Sequence, residues 1–190
     1  MRLPADAVLL IIDAQEAVDG PRHDAGGASG VETNIGALVR AWRAEGLPLA
    51  HVGRQPIDPA ALLAIRPLDG EIAIVRNATS AFVGAGLEAS LDELGATTLV
   101  LCGTLATHAL EASARHASDL GYQVFVVADA CEAADAVDLR GRLWLAEDVR
   151  ALALAHLKGE TATIVDVATT LRAAATAKAR QRRRAGTAGS

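Results

Sequence analysis

Residues Ala7 to Asp13 read AVLLIID, an uninterrupted apolar run closed by an acid. A strand with one face in water alternates apolar and polar residues, so a run without alternation calls for cover on both faces. Further strands are predicted at Leu47–Val52, Glu71–Arg76, Thr97–Cys102, Tyr122–Ala128 and Glu160–Val165. Between these runs lie segments of helical spacing. Val31–Glu45 carries Ile35, Leu38, Val39 and Trp42 on one face and stops at Gly46. Gly86–Gly95 predicts a short helix with Leu87, Leu91 and Leu94 on one side, and Thr107–Leu120, Trp144–Leu157 and the stretch from about Asp166 predict three more. Pro21–Gly30, the proline-containing Gly53–Asp69 and the polar Ala130–Leu143 read as connections. Strands alternating with helices predict a parallel sheet covered on both sides, a three-layer α/β/α sandwich with six strands and Rossmann-like topology. Ligands in such sheets bind beyond the strand C-termini at a topological switch point. The residues placed there are Asp13, Arg76, the stretch from Gly103 to Ala109, and Asp129.

Composition narrows the classes. A hydrophobic content of 51% and a mean hydropathy of +0.25 are those of a chain with a core, not a disordered one. No apolar run approaches the roughly 18 residues of a membrane span, so no membrane association is expected. Two cysteines in 190 residues do not make a disulfide framework, and a reducing cytoplasm is the simpler compartment. The last segment, 172–190, carries six basic residues and no acid, which leaves 12 basic and 23 acidic residues in the body. A body that acidic repels nucleic acid. The chain therefore divides into a domain over 1–171 and a basic, flexible tail over 172–190.

Each candidate side chain has a functional and a bland reading. Asp13 at the end of the first run can serve as an acid or base, or cap the next turn. Arg76 can grip an anion or pair with Asp13, or stand exposed at a strand end. Cys102 lies inside VLLCG and Cys131 follows Asp129; neither is placed where a helix N-terminus would favour a thiolate, and both read as small buried hydrophobes. His108 opens a helix; His23, His51, His116 and His156 are scattered. No paired-His or D-x-H spacing predicts a metal site, and no G-x-G-x-x-G or P-loop follows any strand. A small-molecule ligand without cofactor is the expectation. Trp144 either lines that pocket or belongs to the core.

Three stretches taken together are specific. LLIIDAQEAV, IVRNATSAFVGAGLEASL and LVLCGTLATHALEASARHASDLGYQVFVVADACEA resemble, from about Ala7 to Val167, the isochorismatase-like cysteine hydrolase family. The resemblance implies a catalytic aspartate at Asp13 with Gln15 beside it. It places Phe82 and His108 by the ligand and an oxyanion-binding pair in the backbone N–H groups of Leu105 and Ala109. It also implies a cis bond at Thr104–Leu105 and a homo-oligomer formed through helix faces.

The departures are as informative as the match. Amidase-type members use an Asp–Lys–Cys triad; here Arg76 stands at the lysine position, Ala109 at the cysteine and Ala106 at the motif threonine. Alanine is no nucleophile, and a guanidinium with a pKa above about 12 does not give up its proton. Covalent hydrolysis through position 109 is excluded. Two functions remain. In one, Asp13 performs acid–base hydrolysis of a small molecule, as in members that cleave a vinyl ether without a cysteine, and Arg76 holds a substrate carboxylate. In the other, Asp13 and Arg76 form an ion pair in an inherited pocket, and the chain is a catalytically inactive ligand-binding or assembly protein. A bidentate Asp13–Arg76 pair would favour the second.

Overall fold

The computed structural model describes residues 1–14, 30–54, 65–103 and 106–187. In chain order the elements are β1 (Val8–Ile12), α1 (Gly30–Glu45), β2 (Leu49–Gly53), β3 (Ile72–Val75), α2 (Leu87–Glu93) and β4 (Thr98–Gly103). There follow a π-helical turn (Ala106–Leu110), α3 (Glu111–Asp119), β5 (Gln123–Cys131), β6 (Ala136–Val137), β7 (Leu143–Trp144), α4 (Ala146–Leu157), β8 (Thr163–Val165) and α5 (Val167–Thr187). Six strands form one parallel sheet in the order β3-β2-β1-β4-β5-β8. The sandwich and its six strands are those the apolar runs predict.

The uninterrupted runs have the cause expected of them. Along β1, Leu9 and Ile11 face one core with Ile35, Leu38, Val39 and Trp42 of α1 and Ala173, Ala174 and Ala177 of α5. Val8, Leu10 and Ile12 face the other, with Leu87 and Leu91 of α2, Ala114 and Ala117 of α3, and Leu157 of α4. Every residue of β1, β2 and β4 is buried. Trp42 Nε1 donates to the Ala7 carbonyl at 3.1 Å, which ties α1 to the start of β1. Gly46 ends α1 at φ +58°, a left-handed position that glycine occupies without strain.

Four sequence expectations change in detail. The helix predicted from Thr107 opens instead with the π-helical turn, whose wider i→i+5 spacing re-aims the residues at its start. Leu94 does not join Leu87 and Leu91 inside; it lies after the last turn of α2 and is exposed. The connection Ala130–Leu143 contains the end of β5 and an antiparallel hairpin, and Trp144 belongs to that hairpin, not to α4. The backbone is helical through Thr187, so the boundary at 171 falls inside α5 and the basic segment continues a helix for most of its length.

Strand order reverses between β1 and β4, which are neighbours although β2 and β3 lie between them in sequence. That is the topological switch point, beyond whose strand ends the ligands of such sheets bind. The two strands converge tightly there. Gly103 closes β4 at φ +143°, and a Cβ on it would sit 1.8 Å from the Ile12 carbonyl oxygen, so no other residue fits.

Candidate active site

Asp13 and Arg76 each stand one residue beyond a strand, and both remain in register with the strand between them. The Asp13 N–H donates to the Val52 carbonyl and the Arg76 N–H to the Gly53 carbonyl, each at 2.8 Å. With strands about 4.8 Å apart, β1 and β3 are separated by roughly 10 Å, a gap a long side chain must cross. Arg76 crosses it. Its Nε donates to Asp13 Oδ1 at 3.0 Å and its Nη2 to Oδ2 at 2.5 Å, while Nη1 donates to the Ala78 carbonyl at 2.7 Å. The fork of a guanidinium matches the two carboxylate oxygens in a way a lysine ammonium cannot. Asp13 is 1% exposed and Arg76 7%, so the pair is shielded from solvent. Asp13 also holds φ +52°, unusual for a residue with a side chain.

The other sequence-derived residues are distributed unevenly. Ala109 lies in the π-helical turn, buried in the same apolar cluster as Ile12. His108 beside it is exposed, and its Nδ1 lies 3.1 Å from Thr107 Oγ1. Phe82 packs inward against His116 and Tyr122, with ring centroids 5.3 and 6.1 Å away. Gln15, Leu105 and the Thr104–Leu105 bond lie outside the described residues. Cys102 and Cys131 are buried in the two opposite cores, and burial pushes the Cys102 thiol well up and that of Cys131 to about 12. The Cys131 thiol donates to the Val127 carbonyl at 3.1 Å. Neither thiol is poised as a nucleophile. Among the described residues, no group of three or more His, Cys, Asp or Glu is arranged to hold a metal, and no helix is long and apolar enough to cross a membrane.

Sequence reasoning missed two polar arrangements. The first staples the loop after Arg76 to α3: Ser113 Oγ accepts the Ala81 N–H at 2.9 Å, Ser80 Oγ accepts that of Phe82 at 3.2 Å, and Ser80 Oγ lies 3.0 Å from Nδ1 of His116. A serine in the middle of an alanine-rich helix was the available signal. The second is centred on the middle of β2. His51, fully buried, places Nε2 2.9 Å from Glu71 Oε2, and Arg43 donates to both oxygens of the same carboxylate at 2.7 and 2.9 Å. Burial holds the His51 pKa below its ordinary value. Although partial burial works against it, hydrogen bonding from Arg43, the Leu68 N–H and His51 brings Glu71 down to about 2. Among the described residues, His51 Nδ1 is buried with no hydrogen-bond partner.

The chain is thus a Rossmann-like α/β protein with an acid at the first strand end and a π-helical turn at the switch point, the place where such sheets bind their ligands. The Isochorismatase domain model matches residues 7–169, and the chain belongs to that family. It is 34% identical over 155 residues to the isochorismatase family protein YecD of Escherichia coli O157:H7, covering 67% of this chain and 80% of that one. It is 26% identical over 168 residues to YrdC of Bacillus subtilis, covering 83% and 90%. Among solved structures, an isochorismatase-family protein of Chromobacterium violaceum superposes with a TM-score of 0.82 at 34% identity, covering 93% of this chain and 97% of that one. An isochorismatase of Pseudomonas putida gives 0.77 at 29%, covering 89% and 92%.

Proposed function

We propose that this chain is a non-catalytic, ligand-binding member of its family, with the hydrolase fold and crevice retained and the cysteine-hydrolase chemistry lost. The bidentate contact between Arg76 and Asp13 carries this reading. It commits the carboxylate oxygens and the guanidinium fork to one another, so that neither group stands ready for a substrate. Ala109 supplies no nucleophile, and the two thiols are buried and held protonated. What remains is the switch-point end of the sheet, where folds of this kind hold a small molecule.

One observation favours the acid–base alternative. A buried aspartate at φ +52° is a conformation proteins maintain at working sites. If Asp13 acts, it does so as a proton donor or acceptor in cofactor-free hydrolysis, after a substrate displaces Arg76. The deciding experiment assays the purified chain against isochorismate and a panel of small amides, beside Asp13→Ala, with thermal-shift screening of the same compounds. Binding without turnover is expected. Hydrolysis that disappears in Asp13→Ala would overturn the reading and establish acid–base catalysis.

A further inference from the structure

α4 is 12 residues long, yet only Ala153 and Leu157 of it are buried. Val149, Leu152, Ala153 and His156 recur at the three- and four-residue intervals that put side chains on one helix face, and that face borders a cavity of about 270 Å³. The π-helical turn and the start of α3 close a second side through Thr107 and Glu111, and the β6–β7 hairpin a third through Trp144. Among the described residues, neither Asp13 nor Arg76 borders the cavity, so it is a space apart from the pair at the strand ends.

The walls are held in place, and their polar atoms have partners. Trp144 Nε1 donates to Asp138 Oδ2 at 3.1 Å, and the Arg142 guanidinium lies 4.0 Å over the indole ring, so the ring is fixed within its own hairpin. Asp138 Oδ1 accepts the N–H groups of Arg140 and Arg142 at 2.9 and 3.0 Å, which braces the turn. Thr107 Oγ1 lies 3.1 Å from His108 Nδ1. Arg115 donates twice to Glu111 Oε1, at 2.8 and 3.2 Å, so the charge of Glu111 is balanced on α3 itself. Asp148 and His156 border the cavity and are exposed, which puts them at its mouth. The interior left to a guest is the hydrocarbon of Trp144, Val149, Leu152 and Ala153.

Size and chemistry together select that guest. An apolar cavity of roughly 150 Å³ takes a benzene ring, so this one has room for one ring or two fused rings. Trp144 is an aromatic wall, which favours a flat aromatic over a branched aliphatic. A carboxylate would meet the acids Asp148 and Glu111. A cation gains little from them, since Glu111 is already paired and Asp148 is screened by water. A single O–H or N–H on the ring finds an acceptor at the mouth in Asp148 or His156.

We propose that this cavity binds an uncharged aromatic of one or two rings carrying one hydroxyl or N–H donor, of the phenol, naphthol or indole kind. The ring lies between Trp144 and α4, and the donor points to the mouth. The inference is independent of whether the switch-point end of the sheet binds or turns over a substrate.

The chain's two tryptophans make the test local. Phenol, indole and 2-naphthol are titrated into isotope-labelled protein and followed by NMR, with benzoate and benzylamine as charged controls. The Trp144 indole N–H signal should move with 2-naphthol at a Kd below about 1 mM, an affinity within reach of a ligand this small. The Trp42 signal, bonded to the Ala7 carbonyl inside the core, should stay where it is. Leu152 is 55% exposed, so Leu152→Asp should fold, and the charge it sets in the wall should weaken binding at least about tenfold. Benzoate should bind more weakly than phenol, and benzylamine no more tightly. A Trp144 signal unmoved at about 2 mM 2-naphthol, or binding that Leu152→Asp leaves unchanged, overturns the proposal. Benzylamine binding more tightly than phenol overturns the ligand class. If Leu152→Asp does not fold, the Trp144 signal of the wild type still decides. Shifts around Gly103 with Trp144 unmoved would place the compounds at the strand ends, against the proposal.

Discussion

The Asp13–Arg76 pair makes a quantitative demand on stability. Its side chains are 0% and 6% exposed, so removing one partner strands the other charge in a poorly solvated place. Such breaks cost about 3–5 kcal/mol, most of it the penalty of the orphaned ion and not the worth of the contact. Asp13→Asn keeps the shape and removes the charge, leaving the Arg76 guanidinium against a neutral amide. For a domain of this size each kcal/mol moves the melting temperature by about 2–4 °C, so Asp13→Asn should fall by roughly 6–20 °C. Arg76→Met should lose a similar amount. The double variant removes both charges and replaces them with groups of similar bulk. Its loss should be smaller than the sum of the singles by at least about 1.5 kcal/mol, since a buried pair exchanged for neutral side chains is close to break-even. Urea denaturation of all four proteins completes the cycle. If the losses add to within about 0.5 kcal/mol, the two groups are not coupled, and the charge-pair account of the site fails.

Other consequences are quickly checked. Gly103→Ala should misfold or be recovered only as aggregate, because its Cβ would overlap the Ile12 carbonyl oxygen; a soluble variant melting within a few degrees of wild type would refute the close approach. Acid should destabilise the protein in two stages. His51 has a folded pKa below that of the unfolded chain, so from about pH 6.5 downward the unfolded state takes up the proton first and stability falls. Glu71, lowered to about 2, contributes stability above about pH 4.5 that is lost as pH falls toward 2. His51→Gln should flatten the melting temperature between pH 6.5 and 5 relative to wild type. Both cysteines should resist a thiol reagent in the native state and react together in urea, since neither is reachable without unfolding.

The strands were legible because burial on both faces leaves its mark directly in composition, as AVLLIID shows. Asp13 and Arg76 could be placed at strand ends on the same grounds. Their pairing could be posed as one alternative but not decided, because it depends on β2 lying between their strands, and strand order is written nowhere in local pattern. The β6–β7 hairpin was missed for a different reason. Its strands are two residues long, and Asp138 holds its turn by side-chain bonds that leave no periodicity. The His51–Glu71–Arg43 cluster joins residues from β2, α1 and the turn before β3, and a single histidine in an apolar run carries no spacing signal. The π-helical turn was equally hidden, since one inserted residue leaves the alanine-rich pattern of a helix intact.

The placement of β1 has a consequence for how the chain is made. It leaves the ribosome before the other five strands of the sheet but lies inside it, hydrogen-bonded to β2 on one side and β4 on the other. Its second neighbour ends at Gly103. At about 5–20 residues per second, synthesis from Asp13 to that point takes on the order of 5–18 s. Throughout that interval VLLII, uncharged and β-prone, has one edge without its partner. A nascent chain of this design is exposed to association with its polysome neighbours until β4 emerges, and slowing translation before Gly103 should lower the soluble yield more than slowing it afterwards.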